Sequence, residues 1–193
     1  MPQSRKSPTT TLLERLERDP ALGRAADAMS EPVDAVLGAG PLGDALRGRS
    51  IGHALHPVLV QVPIGAVTCA AVLDLMQGRK AAAQSRLLMG LACLTLAPAA
   101  FSGWAEWAHA DDKTKRVGIV HAALNATAGV ASFASYVARR SGWSPAAAVL
   151  TGVAGTALGC GGLLGGHLSL VRKYASHDEP SDTEGSVHGA YSD

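Results

Sequence analysis

The sequence is poor in charge and in aromatic rings. Lys, Arg, Asp and Glu make up 17% of the 193 residues, and Phe, Trp and Tyr only 4%. What charge there is lies mostly in the first fifty residues and the last twenty, so from Gly52 to Val171 long windows pass with almost none. A net charge of +1, with no basic stripe carrying interleaved aromatics, excludes a nucleic-acid footprint. Cysteine is scarce as well. Cys69, Cys93 and Cys160 stand singly in apolar context and form no CxxC pair, which suits small buried hydrophobes better than a redox or metal motif. The opening "MPQSRKSPTTTLLERLERDP" lacks an apolar core of signal-peptide length, so no cleaved signal is expected. Phosphate loop, nucleophile elbow and HExxH are all missing. "GPLGDALRG" lacks the lysine and spacing of a phosphate loop, and "CGGLLGGH" sits inside an apolar window. These absences lean against an enzyme working on its own.

What the chain does have is length without charge. A bilayer core of about 30 Å takes about 20 apolar residues in helix. Four windows qualify: 56–76, 86–110, 116–138 and 144–171. The links between them are short, which makes neighbouring helices antiparallel. The expectation is an all-α, integral-membrane, up-down four-helix bundle over 51–172. Pro63 and Pro98 are expected to kink the first two spans. Gly155, Gly159, Gly162 and Gly166 form a stripe for close helix approach. Residues 1–50 read as an N-terminal tail with short amphipathic helices at the membrane surface, the first opened by a Thr11–Glu14 capping box and the later part broken at Pro32 and Pro41. Residues 173–193 read as a disordered polar tail.

Four spans put the N-terminal tail, the second link and the C-terminal tail on one side, here the tail side. Near the span ends it carries seven Lys and Arg against five on the other side, which favours cytoplasmic termini.

The histidines gather at that face. His56 opens the first span, and "WAEWAHA" ends the second with Glu106 and His109. His121 follows Arg116 and His167 precedes Arg172 by five residues each, or about 7–8 Å of helix. His56, His121, His167 and Glu106 are therefore candidate ligands for haem b or a transition metal. His53, His109, Asn125, Trp104 and Trp107 support the belt, the tryptophans as interfacial anchors. Asn125 lies one turn past His121 on the same face, a stripe that Ser132 and Ser135 continue. At the far end Asp74 is expected to pair with Arg86. Three readings stay open. The belt is a structural or proton-handling network, or a haem- or metal-binding electron-transfer module, or part of a small transporter or quinone-binding subunit. The lipid bilayer is the implied partner in each, and a homo-oligomer is compatible with all three.

The stretch "LGDALRGRSIGHALHPVLVQVPIGAVTCAAVLDLM", followed by "SGWAEW" (102–107), "RVGIVHAALN" (116–125) and "GGHL" (165–168), resembles the bacterial membrane proteins of domain-of-unknown-function family 2231. The resemblance covers about residues 45–172 and implies a four-span protein of the bacterial inner membrane. Some members of that family carry a Rieske iron–sulfur domain after the last span, which implies a redox setting. This chain has no cysteine after Val171, so its electron carrier would be a separate redox protein. Glu106 stands where aspartate is common in the family's tryptophan-flanked motif.

Overall fold

A computed structural model describes residues 7–171; the C-terminal tail of the sequence reading lies outside the described residues. Among them every regular element is helical. Three helical stretches are long and apolar enough to cross a membrane: His56–Trp107, Asp112–Ala138 and Pro145–Ser169.

The first of these is 52 residues long. As one straight helix it would reach about 78 Å, more than twice a bilayer core. It is instead divided into α4 (His56–Leu59), α5 (Gln61–Gln77) and α6 (Ala82–Trp107). Pro57 occupies the first turn of α4, where its missing N–H costs nothing. Pro63 likewise lies in the first turn of α5, so the expected kink becomes a helix restart after Val60. Pro98 is carried inside α6. Between α5 and α6 the chain turns through a single 3-10 turn, Gly78–Ala81, entered at Gly78 with φ +51°. Only glycine adopts that backbone cheaply. Ser85 at the start of α6 then hydrogen-bonds Asp74 at the end of α5, so α6 runs back alongside it.

α7 (Asp112–Ala138) begins four residues ahead of the apolar window because the Asp111 side chain caps it, accepting from Thr114 N–H at 2.7 Å. α8 (Pro145–Gly166) opens on a first-turn proline and runs into a wider π turn, His167–Val171. α5 packs on α6, α6 on α7, α7 on α8 and α8 on α5. Their shared core is alanine-rich (Ala66, Ala70, Ala92, Ala128, Ala131, Ala154), with Val67, Met89 and Leu158 filling the gaps. Small side chains let the helix backbones approach closely, which is the packing available between helices in lipid.

Of the expected glycine stripe of α8, only Gly155 faces a neighbour, with an added Cβ 3.8 Å from Val67 of α5. A Cβ on Gly159, Gly162 or Gly166 would meet nothing within 4 Å. The glycines used for close approach are Gly161 and Gly165, which face Asn125 and His121 of α7.

Before the apolar helices lie α1 (Pro8–Arg18), α2 (Pro20–Val33) and α3 (Pro41–Leu46). α1 starts earlier than the proposed capping box. Ser7 is its cap, accepting from Thr10 N–H at 3.1 Å, and Thr11 lies inside the helix. Asp19 caps α2 in the same manner, with Ala21 N–H at 2.7 Å. Pro32 does not end α2; the change comes after it, at the π turn Asp34–Gly38. These helices rest on the others. Ala26, Val33 and Leu37 form one core with Ala105 and Trp107, and Leu13 and Leu16 pack against Val117, Leu164 and Leu168. Residues 8–46 thus form a cap over the end of α6, the start of α7 and the end of α8.

Candidate functional site

The belt lies under this cap. His56 is the first residue of α4, held there by a loop that needs glycine at position 48: φ is +76°, and a Cβ would collide with the His53 carbonyl. The His56 Nδ1–H donates to Ala99 O of α6 at 2.8 Å. The ring rests on Gly103, where an added Cβ would come within 2.8 Å of it. One turn further along α6, the Glu106 carboxyl lies against the backbone N–H of His56, at the positive end of the helix. Its Oε1 is buried and makes no hydrogen bond among the described residues.

His121 of α7 is held in the same way. Its Nδ1–H donates to Gly161 O of α8 at 2.9 Å, and the ring fits over Gly165. A carbonyl can only accept, so both rings carry their proton on Nδ1 and present a lone pair at Nε2. On His121 that lone pair accepts from Asn125 Nδ2–H at 3.0 Å, and the same amide also donates to His121 O. The His56 and His121 rings meet edge to face with centroids 6.1 Å apart.

The other belt residues go elsewhere. His167 Nε2 contacts Glu17 Oε1 of α1 at 3.2 Å. His109 Nδ1 accepts from Arg47 at 3.3 Å. His53 is exposed. Among the described residues no three His, Cys, Asp or Glu side chains group as a metal site. Of the expected convergence of His56, His121, His167 and Glu106, the His56–His121 pair with Glu106 beside His56 is present, whereas His167 is drawn to Glu17 of the cap.

Arg47 is the residue the sequence reading missed here. It is buried between cap and body. Its guanidinium lies 3.0–3.3 Å from the carbonyls of Leu37, Gly38 and Ala105, and 2.7 Å from Asp44. These carbonyls end two helical segments and have lost their helical donors, so a cation satisfies them. The tryptophans are also not simple interfacial anchors. Trp107 is buried; its indole N–H donates to Lys115 O at 3.0 Å, and Trp104 meets it edge to face. Lys115 folds over the Trp107 ring and reaches Ser30 of α2. Arg116 donates to Glu17 O.

At the far end the expected Asp74–Arg86 pair is not formed. Arg86 is exposed, and Asp74 instead takes a two-pronged contact from Arg139 at the end of α7. Both side chains are buried, at 4% and 0% exposure. Arg139 also donates to Thr151 Oγ1 at 2.9 Å and Ser135 Oγ at 3.3 Å, and Ser85 donates to Asp74. All four long helices meet at this knot. Arg139 lies four residues past Ser135, on the polar stripe of α7 already visible in the sequence, and that phase was the available signal.

A family model described as a predicted membrane protein (DUF2231) matches residues 52–178. No curated protein and no solved structure matches the chain.

Proposed function

The chain belongs to the DUF2231 family of predicted membrane proteins, and from that premise we propose that it is a four-span protein of the bacterial inner membrane, with no catalytic activity of its own, whose His/Glu belt is a structural and proton-handling network that fastens a helical cap to the tail-side face. The observation that carries this reading is where the belt's polar atoms go. His56 and His121 each bond a backbone carbonyl of a different helix, His167 bonds Glu17 of the cap, and His109 bonds Arg47, which ties the cap to the body. Such contacts hold elements together and leave few atoms for a ligand. Support for four crossings comes from the reversal at Gly78, which returns α6 beside α5. The excess of Lys and Arg near the tail-side span ends supports cytoplasmic termini.

The test is made on the purified full-length protein. His167→Ala is expected to loosen the cap, read as faster proteolysis within residues 8–46, and His121→Ala to weaken the α7–α8 contact, read as a lower thermal stability, both with haem and metal content equal to wild type. A wild-type preparation with a Soret band, or a stoichiometric metal, that disappears in His121→Ala overturns this reading.

That outcome would establish the second reading, a haem- or metal-binding redox module working with a separate iron–sulfur protein. One observation favours it. Both imidazoles donate Nδ1–H to a carbonyl, the outer contact that metal-bound histidines usually make.

A further inference from the structure

We propose that the end of the protein formed by the α5–α6 and α7–α8 turns is a docking surface for anionic phospholipid headgroups, whose phosphates Arg79, Lys80, Arg86 and Arg140 engage. All four side chains are exposed, and none makes an ion pair among the described residues. The two turns belong to one face because Asp74, five residues before Arg79, is bonded to Arg139, the neighbour of Arg140. That contact also removes the only acid from the face: no Asp or Glu other than Asp74 lies between Val58 and Ala105 or between Val117 and Val171. Arg139 is already neutralised by Asp74, so among the described residues the four cations are left with no counter-charge. The opposite end differs, since its cations are interleaved with acids, such as Asp44 beside Arg47 and Arg49.

Depth selects lipid over a soluble acidic partner. Leu75, Met76 and Leu87 are 87%, 77% and 74% exposed, so they face the acyl chains. Arg79 and Lys80 stand in the Gly78–Ala81 turn, just past the end of α5 that carries Leu75 and Met76, and Arg86 adjoins Leu87. Their charges thus stand on the rim of the apolar surface, at the height of the phosphates, where long basic side chains snorkel.

The experiment reconstitutes the full-length protein in phosphatidylcholine vesicles containing a trace of spin-labelled phosphatidylglycerol or, in parallel, spin-labelled phosphatidylcholine. The immobilised fraction of each label is then measured. Phosphatidylglycerol is expected to be enriched at an engaged site about five-fold per cation at low salt, and less at high salt. R79Q/K80Q/R86Q/R140Q is expected to abolish the enrichment, while R79K/R86K/R140K and the tail-side control R15Q/R18Q/R24Q retain it. Equal immobilisation of the two lipids by wild type overturns the proposal, including the case where this face captures a soluble acidic protein instead. Loss of the enrichment in the tail-side control alone also overturns it. If the glutamine variant does not insert, the salt dependence of wild type and the charge-retaining lysine variant decide.

Discussion

Replacing Asp74 by asparagine tests the far-side knot. The substitution keeps the shape and removes the charge. Arg139, fully buried, then faces a neutral amide in place of a carboxylate that accepts from both of its terminal nitrogens. Asparagine can offer one oxygen, and its NH2 group would stand against another donor. Thr151 and Ser135 still accept from the guanidinium, but neither carries charge. Removing one partner of a buried ion pair costs about 3–5 kcal/mol, because the other charge stays buried without compensation. Arg86→Gln alters only an exposed side chain and is expected to stay within about 0.5 kcal/mol of wild type. Unfolding in mixed micelles, titrated with a denaturing detergent, reads both variants on one scale. The double variant Asp74→Ala/Arg139→Ala should recover part of the loss, since it buries no lone charge. An Asp74→Asn protein as stable as Arg86→Gln would refute the assignment of Arg139 as the partner, as would an Arg86→Gln protein as unstable as Asp74→Asn is expected to be.

Gly103→Ala should destabilise by about 1–3 kcal/mol, because the new methyl group meets the His56 ring; Gly159→Ala, in open space, should be neutral or gain up to about 1 kcal/mol. Thermal unfolding of the two variants side by side checks the phase of the glycines. Arg47→Ala leaves three backbone carbonyls without their cation and is expected to weaken cap attachment by about 2–3 kcal/mol, read as proteolytic cleavage within residues 34–46 at protease levels that wild type resists.

The helical, membrane-crossing character was legible because it depends on local composition: lipid requires long uncharged runs, and no tertiary contact changes that requirement. The pairing of residues one turn apart on a single helix was legible too, since Asn125 does reach His121. Rotation about the helix axis was not. Gly159 and Gly161 look alike in the sequence, yet only Gly161 faces α7. Arg86 and Arg139 lie at similar depth, and the choice between them turned on which face of each helix points inward. The cap was the largest surprise. Pro32 and Pro41 suggested breaks, but nothing local to residues 8–46 announces that Arg47 will reach Ala105 or that Glu17 will meet His167. Those contacts join parts of the chain that no sequence window contains together.

The contact between Glu17 and His167 spans 150 positions, and that of Glu17 with Arg116 spans 99. During synthesis the cap is therefore made first and seated last. Its helices stay unseated until the later helices have been made. The seat is complete only after the residues at the end of the fourth long helix have been translated and have emerged. A chain stalled or truncated before that point would leave Leu13 and Leu16 without Leu164 and Leu168 to cover them. Exposed leucine on a waiting helix is the kind of surface that chaperones and membrane proteases bind. The seat of the cap thus depends on contacts between the first and the last helices described, and neither holds it alone.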